Sequence, residues 1–344
     1  SDLIKIVKEN RFTPICLKKD GKMADFTYCP IAQYGDAMEP VRYDTFSALM
    51  DDFYALREQQ ERVRQRGADL LRTATTARDR LRRKLAQQEK DYAATQDRDQ
   101  LRIYGDLITA NLYRMERGQS RLETENFYDP EGGTIAIHLD PLLTPQQNAA
   151  KYYKRYTKAK TAEKYLTEQM AIARRDLDYI ESVLEELDRA ETEQVFLDIR
   201  GALRDAGFLR RQGKKEVSRP AKPLEFRTTS GFRVLVGRNN RQNDKLTKSA
   251  GPRDIWLHTQ KIHGSHVILC TEGREADDDT IVEAAKLAAW FSQAREGANV
   301  PVDYTPVKNV KKPAGARPGM VIYSTCRTVN VTPEESLVKK LRMS

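Results

Sequence analysis

Cysteine is scarce in this 344-residue chain: four occur, Cys16, Cys29, Cys270 and Cys326, and no two form a C-x-x-C pair. That spacing argues against a zinc ribbon or a disulfide scaffold and fits a reducing, cytoplasmic setting. Long apolar runs are missing as well. None approaches the roughly 20 residues that cross a bilayer, so no membrane contact through a spanning segment is expected. No secretory leader opens the chain, but it begins "SDLIKIVKEN" without Met and reads as an excised piece. Three enzyme frameworks are also absent: no P-loop, no G-x-G-x-x-G and no G-x-S-x-G elbow.

Charge is abundant. Asp, Glu, Lys and Arg make up 32% of the chain against 39% hydrophobic residues, a balance that suits long exposed helices beside a smaller packed domain. Lys and Arg number 59 against 50 acids, a net charge of +9 that raises the expectation of a nucleic-acid or anionic-membrane partner.

Three territories follow. Residues 1–42 read as a short β-rich piece, with two strand candidates in "FTPICLKKDGKMADFTYCPI" around an Asp20-Gly21 turn. Residues 43–207 read as an antiparallel coiled coil. Its first seam is Phe46, Leu49, Phe53, Leu56, Val63, Leu70, Ala74, Ala77 and Leu81, with Gln60 and Gly67 as weak links. Its second seam is Ala159, Leu166, Met170, Ala173, Leu177, Ile180, Leu184 and Leu187. A capping box at Thr144 and Gln147 starts that helix. Each helix is expected to run fifty or more residues, on the order of 80 Å. Between them, near 118–143, "NFYDPEGGTIAIHLD" predicts a β-hairpin tip. A basic linker, 208–223, leads to a mixed α/β domain, 224–344. "LEFRTTSGFRVLVGR", "DIWLHT", "SHVILC", "VPVDYT" and "MVIYSTCRTVNV" supply its strands. "TIVEAAKLAAWFSQA" supplies a helix capped by Thr280 with Glu283.

The chemistry concentrates between Gly237 and Leu269. His258, His263 and His266, five and three residues apart, lack the tight pair and the Cys or carboxylate partners of a zinc site. No metal and no cofactor is expected. Asp254, His258 and Ser265 are the residue types of a hydrolase triad, and Asp254 with Asp303 of a carboxylate pair, but no supporting motif surrounds them. Binding suits the stretch better. Alternation along Asp254–Thr259 puts Trp256 and His258 on one strand face, where they form either a platform for stacked bases or part of a covered core. Asn239, Asn240 and Asn243 could read a polymer or cap local turns, with Arg238, Arg241 and Lys245 beside them as phosphate partners. Lys308, Lys311, Lys312 and Arg317 sit on a loop stiffened by Pro313 and Pro318. On the arm, "KYYKRYTKAK" offers Lys151, Lys154, Arg155 and Lys158 for contact with RNA or an acidic protein.

Taken together, "VGRNNRQNDKLT", "DIWLHTQKIHGSHVIL", "EAAKLAAWFS", "VPVDYTPVKNVKKPAGARPGMVIY" and "FYDPEGGTIAIHLDPLLTPQQNAAKYYKRYTKAK" resemble the NFACT family over nearly the whole chain. The resemblance implies an α+β fold, a long antiparallel coiled-coil arm plus a C-terminal mixed α/β RNA-binding domain. It implies a cytoplasmic ribosome quality control factor, monomeric on the ribosome, whose partners are the 50S subunit, with its 23S rRNA and stalk-base proteins, and tRNA. Such factors recruit tRNA, alanyl-tRNA in bacterial members, for template-free C-terminal tailing of stalled chains. The ribosome performs peptide transfer, so the factor itself is not an enzyme. Family members open with a large N-terminal domain, of which residues 1–42 resemble the last strands, around Arg11–Ile31. The family's older label implies the alternative of a surface adhesin for fibronectin or other matrix.

Overall fold

The computed structural model describes residues 8–9, 12–19, 22–31, 33–190, 192–210 and 221–343. The Asp20-Gly21 turn, Arg11, the side chain of Gln60 and 211–220 of the basic linker lie outside the described residues. The chain divides into two compact units, residues 1–73 with 186–222, and residues 74–185 with 223–344.

In the first unit, strands β1 (Ile15–Lys19), β2 (Lys22–Thr27) and β3 (Glu39–Arg42) form an antiparallel sheet in the order β2-β1-β3. The two expected strands pair with each other, and β3 adds an edge the hairpin pattern did not announce. Phe26 meets Phe53 edge-on, 5.0 Å between ring centroids, so the sheet packs on helix α1 (Phe46–Ala93), where Leu49 and Phe53 are buried. Gly67, a weak link on paper, has a physical reason: a Cβ there would lie 3.0 Å from Cζ of Phe196. The seam position is already filled by that ring, from the helix Glu193–Asp205.

The second unit contains the arm. The 48-residue α1 stops at Ala93, a turn intervenes, and α2 (Arg98–Ala110) continues. After the tip comes the 44-residue α3 (Pro145–Asp188). Its start is reciprocal, as the sequence predicts: Thr144 N–H donates to Gln147 Oε1 at 2.9 Å, and Gln147 N–H to Thr144 Oγ1 at 3.2 Å. Arg82 pairs with Glu181, Glu89 with Arg174 and Arg98 with Glu163, so one number falls as the other rises. The helices are antiparallel. Met170, Ala173 and Ile180 bury the seam. Surface pairs of this kind contribute little to stability, so they fix register while the seam holds the helices together. At the tip, β4 (Arg121–Glu125) pairs with β5 (Thr134–His138). The first tip strand thus precedes "NFYDPEGG". Leu107, Ile108, Leu122, Ile137, Leu139 and Tyr152 close a small core around it.

The rest of this unit holds a six-stranded, wholly antiparallel sheet. Its strands, β6 (Leu224–Arg227), β7 (Arg233–Val236), β8 (Ile255–Thr259), β9 (Val267–Cys270), β10 (Val300–Pro306) and β11 (Arg327–Val331), lie in the order β11-β10-β8-β9-β7-β6. On one face, Val234, Val236, Leu257, Val267 and Leu269 pack under Ala284, Ala285 and Ala288 of the helix Asp278–Trp290. That helix is capped by Asp277, whose carboxylate accepts the Thr280 N–H at 2.8 Å, correcting the expected Thr280 cap. Glu283 instead accepts the backbone N–H and hydroxyl of Thr229. On the other face, Leu246, Trp256, Ile268 and Val307 form a second core with Val310, Val321 and Tyr323. The strands Val310–Lys311 and Ile322–Tyr323 form a two-residue hairpin there. Among the described residues no helix is long and apolar enough to cross a membrane.

Gly67→Leu would look like a seam repair in the sequence. It is expected to destabilise the chain by about 1–3 kcal/mol, because the added side chain must displace Phe196. Urea unfolding of the variant beside the parent checks this, and an increase in stability would refute the packing argument.

Candidate nucleic-acid interface

The amide-rich stretch, expected to contact a polymer or cap local turns, is a helix, Asn240–Ser249. Asn239 is its cap, accepting the Gln242 N–H at 2.9 Å, and Gln242 Oε1 accepts the Arg238 N–H at 2.7 Å. An amide three residues after a capping Asn is the local signal for such a helix start. Asn243 Oδ1 accepts the backbone N–H of His266 at 3.2 Å. Asn240 Nδ2 donates to Ser182 Oγ on α3 at 2.7 Å. Asn239, Asn240 and Asn243 are buried and hold this helix in place. Asn239 and Asn243 thereby engage their side-chain oxygens within the fold, while Asn240 also borders a cleft beside β8. Arg238 and Arg241 are half-buried, and Lys245 is exposed.

Strand β8 alternates as expected, with Trp256 and His258 sharing one face, their rings nearly parallel at 11° and 5.6 Å apart. Of the two alternatives, Trp256 takes the covered core. Trp256 is wholly enclosed, with Tyr323 tilted against it at 4.8 Å and His266 edge-on at 5.3 Å. The helix Asn240–Ser249 and the short hairpin cover this face of the sheet. His258, next in the row, remains half-buried.

His266 is buried, its Nε2 3.2 Å from the Gly319 carbonyl and its Nδ1 2.8 Å from the Thr247 hydroxyl. A carbonyl can only accept, so Nε2 carries the proton and Nδ1 accepts. Gly319 must approach closely: a Cβ there would lie 1.9 Å from Asn240 Oδ1, and its φ of +83° suits glycine. His263 lies 3.7 Å from the Asp178 carboxylate on α3. Among the described residues, no three His, Cys, Asp or Glu side chains are grouped to hold a metal ion.

The triad types are not brought together. Asp254, just before β8, and His258 within it are four residues apart along extended backbone, roughly 13 Å. Asp254 accepts the Gly251 N–H at 2.7 Å and the Thr271 N–H at 2.8 Å. Asp303 sits opposite His258, away from Asp254, and accepts the hydroxyls of Tyr323 at 2.7 Å and Thr328 at 2.6 Å. Burial, and then that bond to Asp303, push the Tyr323 phenol well above its ordinary range.

The cations divide into two groups. Arg317 forks onto Asp176 of α3 through Nε at 3.0 Å and Nη2 at 2.7 Å, and Lys312 pairs with Asp244. Both are neutralised within the unit. Lys308 and Lys311 are exposed, as is Lys248, which the sequence reading did not single out. On the arm, Lys151 pairs with Asp140 at 2.9 Å, and Arg155 lies 5.6 Å over the Tyr152 ring. Lys154 and Lys158 are exposed.

A cleft of about 780 Å³ opens beside the Trp256–His258 pair. Arg78 and Arg82 of α1 line it with Asp178, Glu181, Ser182 and Glu185 of α3. Trp256, His258 and Thr259 line it from the sheet, with Lys261 and His263 from the next turn.

Burial of His266, reinforced by His258 nearby, pushes its imidazole down to about 3 from the usual 6.5. The folded chain therefore holds it neutral, whereas the unfolded chain protonates it below about 6.5. Its contribution to stability is present above pH 6.5 and lost as pH falls toward 3, by about 1.4 kcal/mol per pH unit. Between pH 7.5 and 5.0, His266→Gln is expected to reduce the loss of stability by about 2 kcal/mol. Denaturant unfolding at both pH values measures it. An equal loss in the variant would show that His266 titrates normally.

Residues 1–222 match the NFACT N-terminal and middle domains, and residues 222–324 match the NFACT protein RNA binding domain. The chain is 38% identical to the "Rqc2 homolog RqcH" of Bacillus subtilis over 344 residues, covering 98% of this chain and 59% of that one. It is 33% identical to the "Rqc2 homolog RqcH" of Streptococcus suis, covering 93% and 58% respectively. The chain thus spans about three fifths of the length of these relatives. A solved structure of the C-terminal part of the fibronectin/fibrinogen-binding protein from Streptococcus suis is similar with a TM-score of 0.64 and 31% identity. It covers 82% of this chain and 100% of that one. With both domain matches in order along a chain whose fold and motifs agree with them, the protein belongs to the NFACT family.

Proposed function

We propose that this chain is part of a ribosome quality control factor and that its C-terminal domain grips RNA of the large ribosomal subunit. The observation that carries the proposal is the set of exposed cations Lys245, Lys248, Lys308 and Lys311 beside two others that are already neutralised. Asp244 ties their two elements together, because it pairs with Lys312 and accepts the Gly319 N–H at 3.0 Å. Ammonium groups held on such a frame contact phosphates without base specificity. Lys154 and Lys158 offer a second, separate contact near the arm's tip. In the whole factor, these contacts hold a 50S subunit obstructed by peptidyl-tRNA while tRNA, charged with alanine in the bacterial pattern, is brought in for tailing. Peptide transfer stays with the ribosome.

Sedimentation with purified 50S subunits over a salt series tests the reading. Retention is expected to fall as salt rises. Lys245→Glu with Lys311→Glu is expected to weaken it and to make the slope of log affinity against log salt shallower by about 2. An unchanged slope would move the contact to the arm. No retention even at low salt, with capture on immobilised fibronectin instead, would favour the adhesin reading.

A further inference from the structure

The cleft beside β8 is not explained by phosphate gripping. Its lining carries three cations, Arg78, Arg82 and Lys261, and three carboxylates, Asp178, Glu181 and Glu185. The charges cancel, and Arg82 already pairs with Glu181 at 2.6 Å. A bare phosphate gains little in such a place. Two polar atoms in the lining residues are nevertheless buried and without a hydrogen-bond partner: the indole Nε1–H of Trp256 and the hydroxyl of Thr259. Buried donors are rarely left unpaired, because the lost bond to water is not replaced. The indole group can only donate, so its missing partner is an acceptor; the hydroxyl takes either role. Beside them His258 backs onto Trp256 in a parallel stack and is half-buried on the cleft side. The volume lies within the range of about 300–1,000 Å³ usual for small-ligand sites.

A flat ring bearing carbonyl or ring-nitrogen acceptors, attached to a group rich in hydroxyls, meets all of these features. We infer that the cleft binds one unpaired ribonucleoside unit. The base stacks on His258 and offers an acceptor to Trp256 Nε1–H, and the ribose hydroxyls donate to carboxylates of α3. The inference deepens the RNA-binding proposal, since Pro318 and Gly319 line the cleft at the end of the loop that carries Lys308 and Lys311. An RNA strand laid on those lysines is thus led to the cleft. A free nucleotide has the same chemistry, and the test separates the two sources.

The chain has two tryptophans, so Trp290→Phe leaves Trp256 as the fluorescent reporter. In that background the full chain is titrated with AMP, GMP, CMP and UMP, with inorganic phosphate, and with a short RNA in single-stranded and duplex form. A saturable fluorescence change is expected with at least one monophosphate or with the single strand, and none with phosphate. For the monophosphate, the midpoint should move less than about twofold between about 50 mM and about 500 mM salt, since the cleft is neutral overall. His258→Ala should weaken it at least roughly tenfold and His258→Phe should restore it, with circular dichroism confirming that both fold. A tighter midpoint for the single strand than for any monophosphate identifies RNA as the source; the reverse order identifies a free nucleotide. The inference is overturned if no probe gives a response, if phosphate alone reproduces it, or if His258→Ala leaves it unchanged. Salt-dependent retention on 50S is read separately, so either proposal can fail while the other stands.

Discussion

A six-stranded sheet has two faces to cover, and in this protein the covers are unequal. The sheet is roughly 25 Å across at about 4.8 Å per strand, and both faces carry large apolar side chains. One face is closed by the alanine-rich helix Asp278–Trp290, whose small side chains let it lie close. The other receives a helix of ten residues, roughly 15 Å long, and a two-residue hairpin. These suffice to enclose Trp256, Ile268 and Leu246 but not the row that continues to His258. The cleft exists because the second cover is too small. Its polar lining and the contacts from α3 follow from the same shortfall.

That arrangement explains which parts of the fold the sequence disclosed. Period-two alternation along Ile255–Thr259 placed Trp256 and His258 on one face, and the stacked rings agree. What covers that face was not legible, because the cover is a helix written in amides and lysines. Propensity puts Asn in turns, and here tertiary bonds decide otherwise: Asn243 to the His266 amide and Asn240 to Ser182 hold a poor helix former in a helix. The arm behaved differently. A heptad seam is local information, so helix type and pairing direction could be read, along with the capping box at Thr144. Gly67 shows the limit, since its fitness depends on Phe196, well over a hundred residues away in the chain.

Charge was the least legible layer. The run from Lys308 to Arg317 presents four cations of equal standing in the sequence. The fold makes them unequal by supplying Asp244 to one and Asp176 to another. A count of positive residues therefore overstates what RNA can meet. The same sorting occurs on the arm, where Asp140 takes Lys151 and leaves Lys154 and Lys158 at the surface.

Removing Lys312 and Arg317 from the free cations does not weaken the case for RNA; it changes what each region contributes. Exposed lysines on a braced loop attract any polyanion and lose it as salt rises, so they cannot distinguish a paired strand from an unpaired one. A neutral cleft with stacking and hydrogen-bonding groups gains nothing from backbone charge and everything from an accessible base. Placed at the end of the lysine loop, it supplies the selectivity that the cations lack. The pairs that neutralise Lys312 and Arg317 are part of this division, because they brace the loop that leads from the charged surface to the cleft. Had those two cations been left free, the loop would carry more charge but less shape.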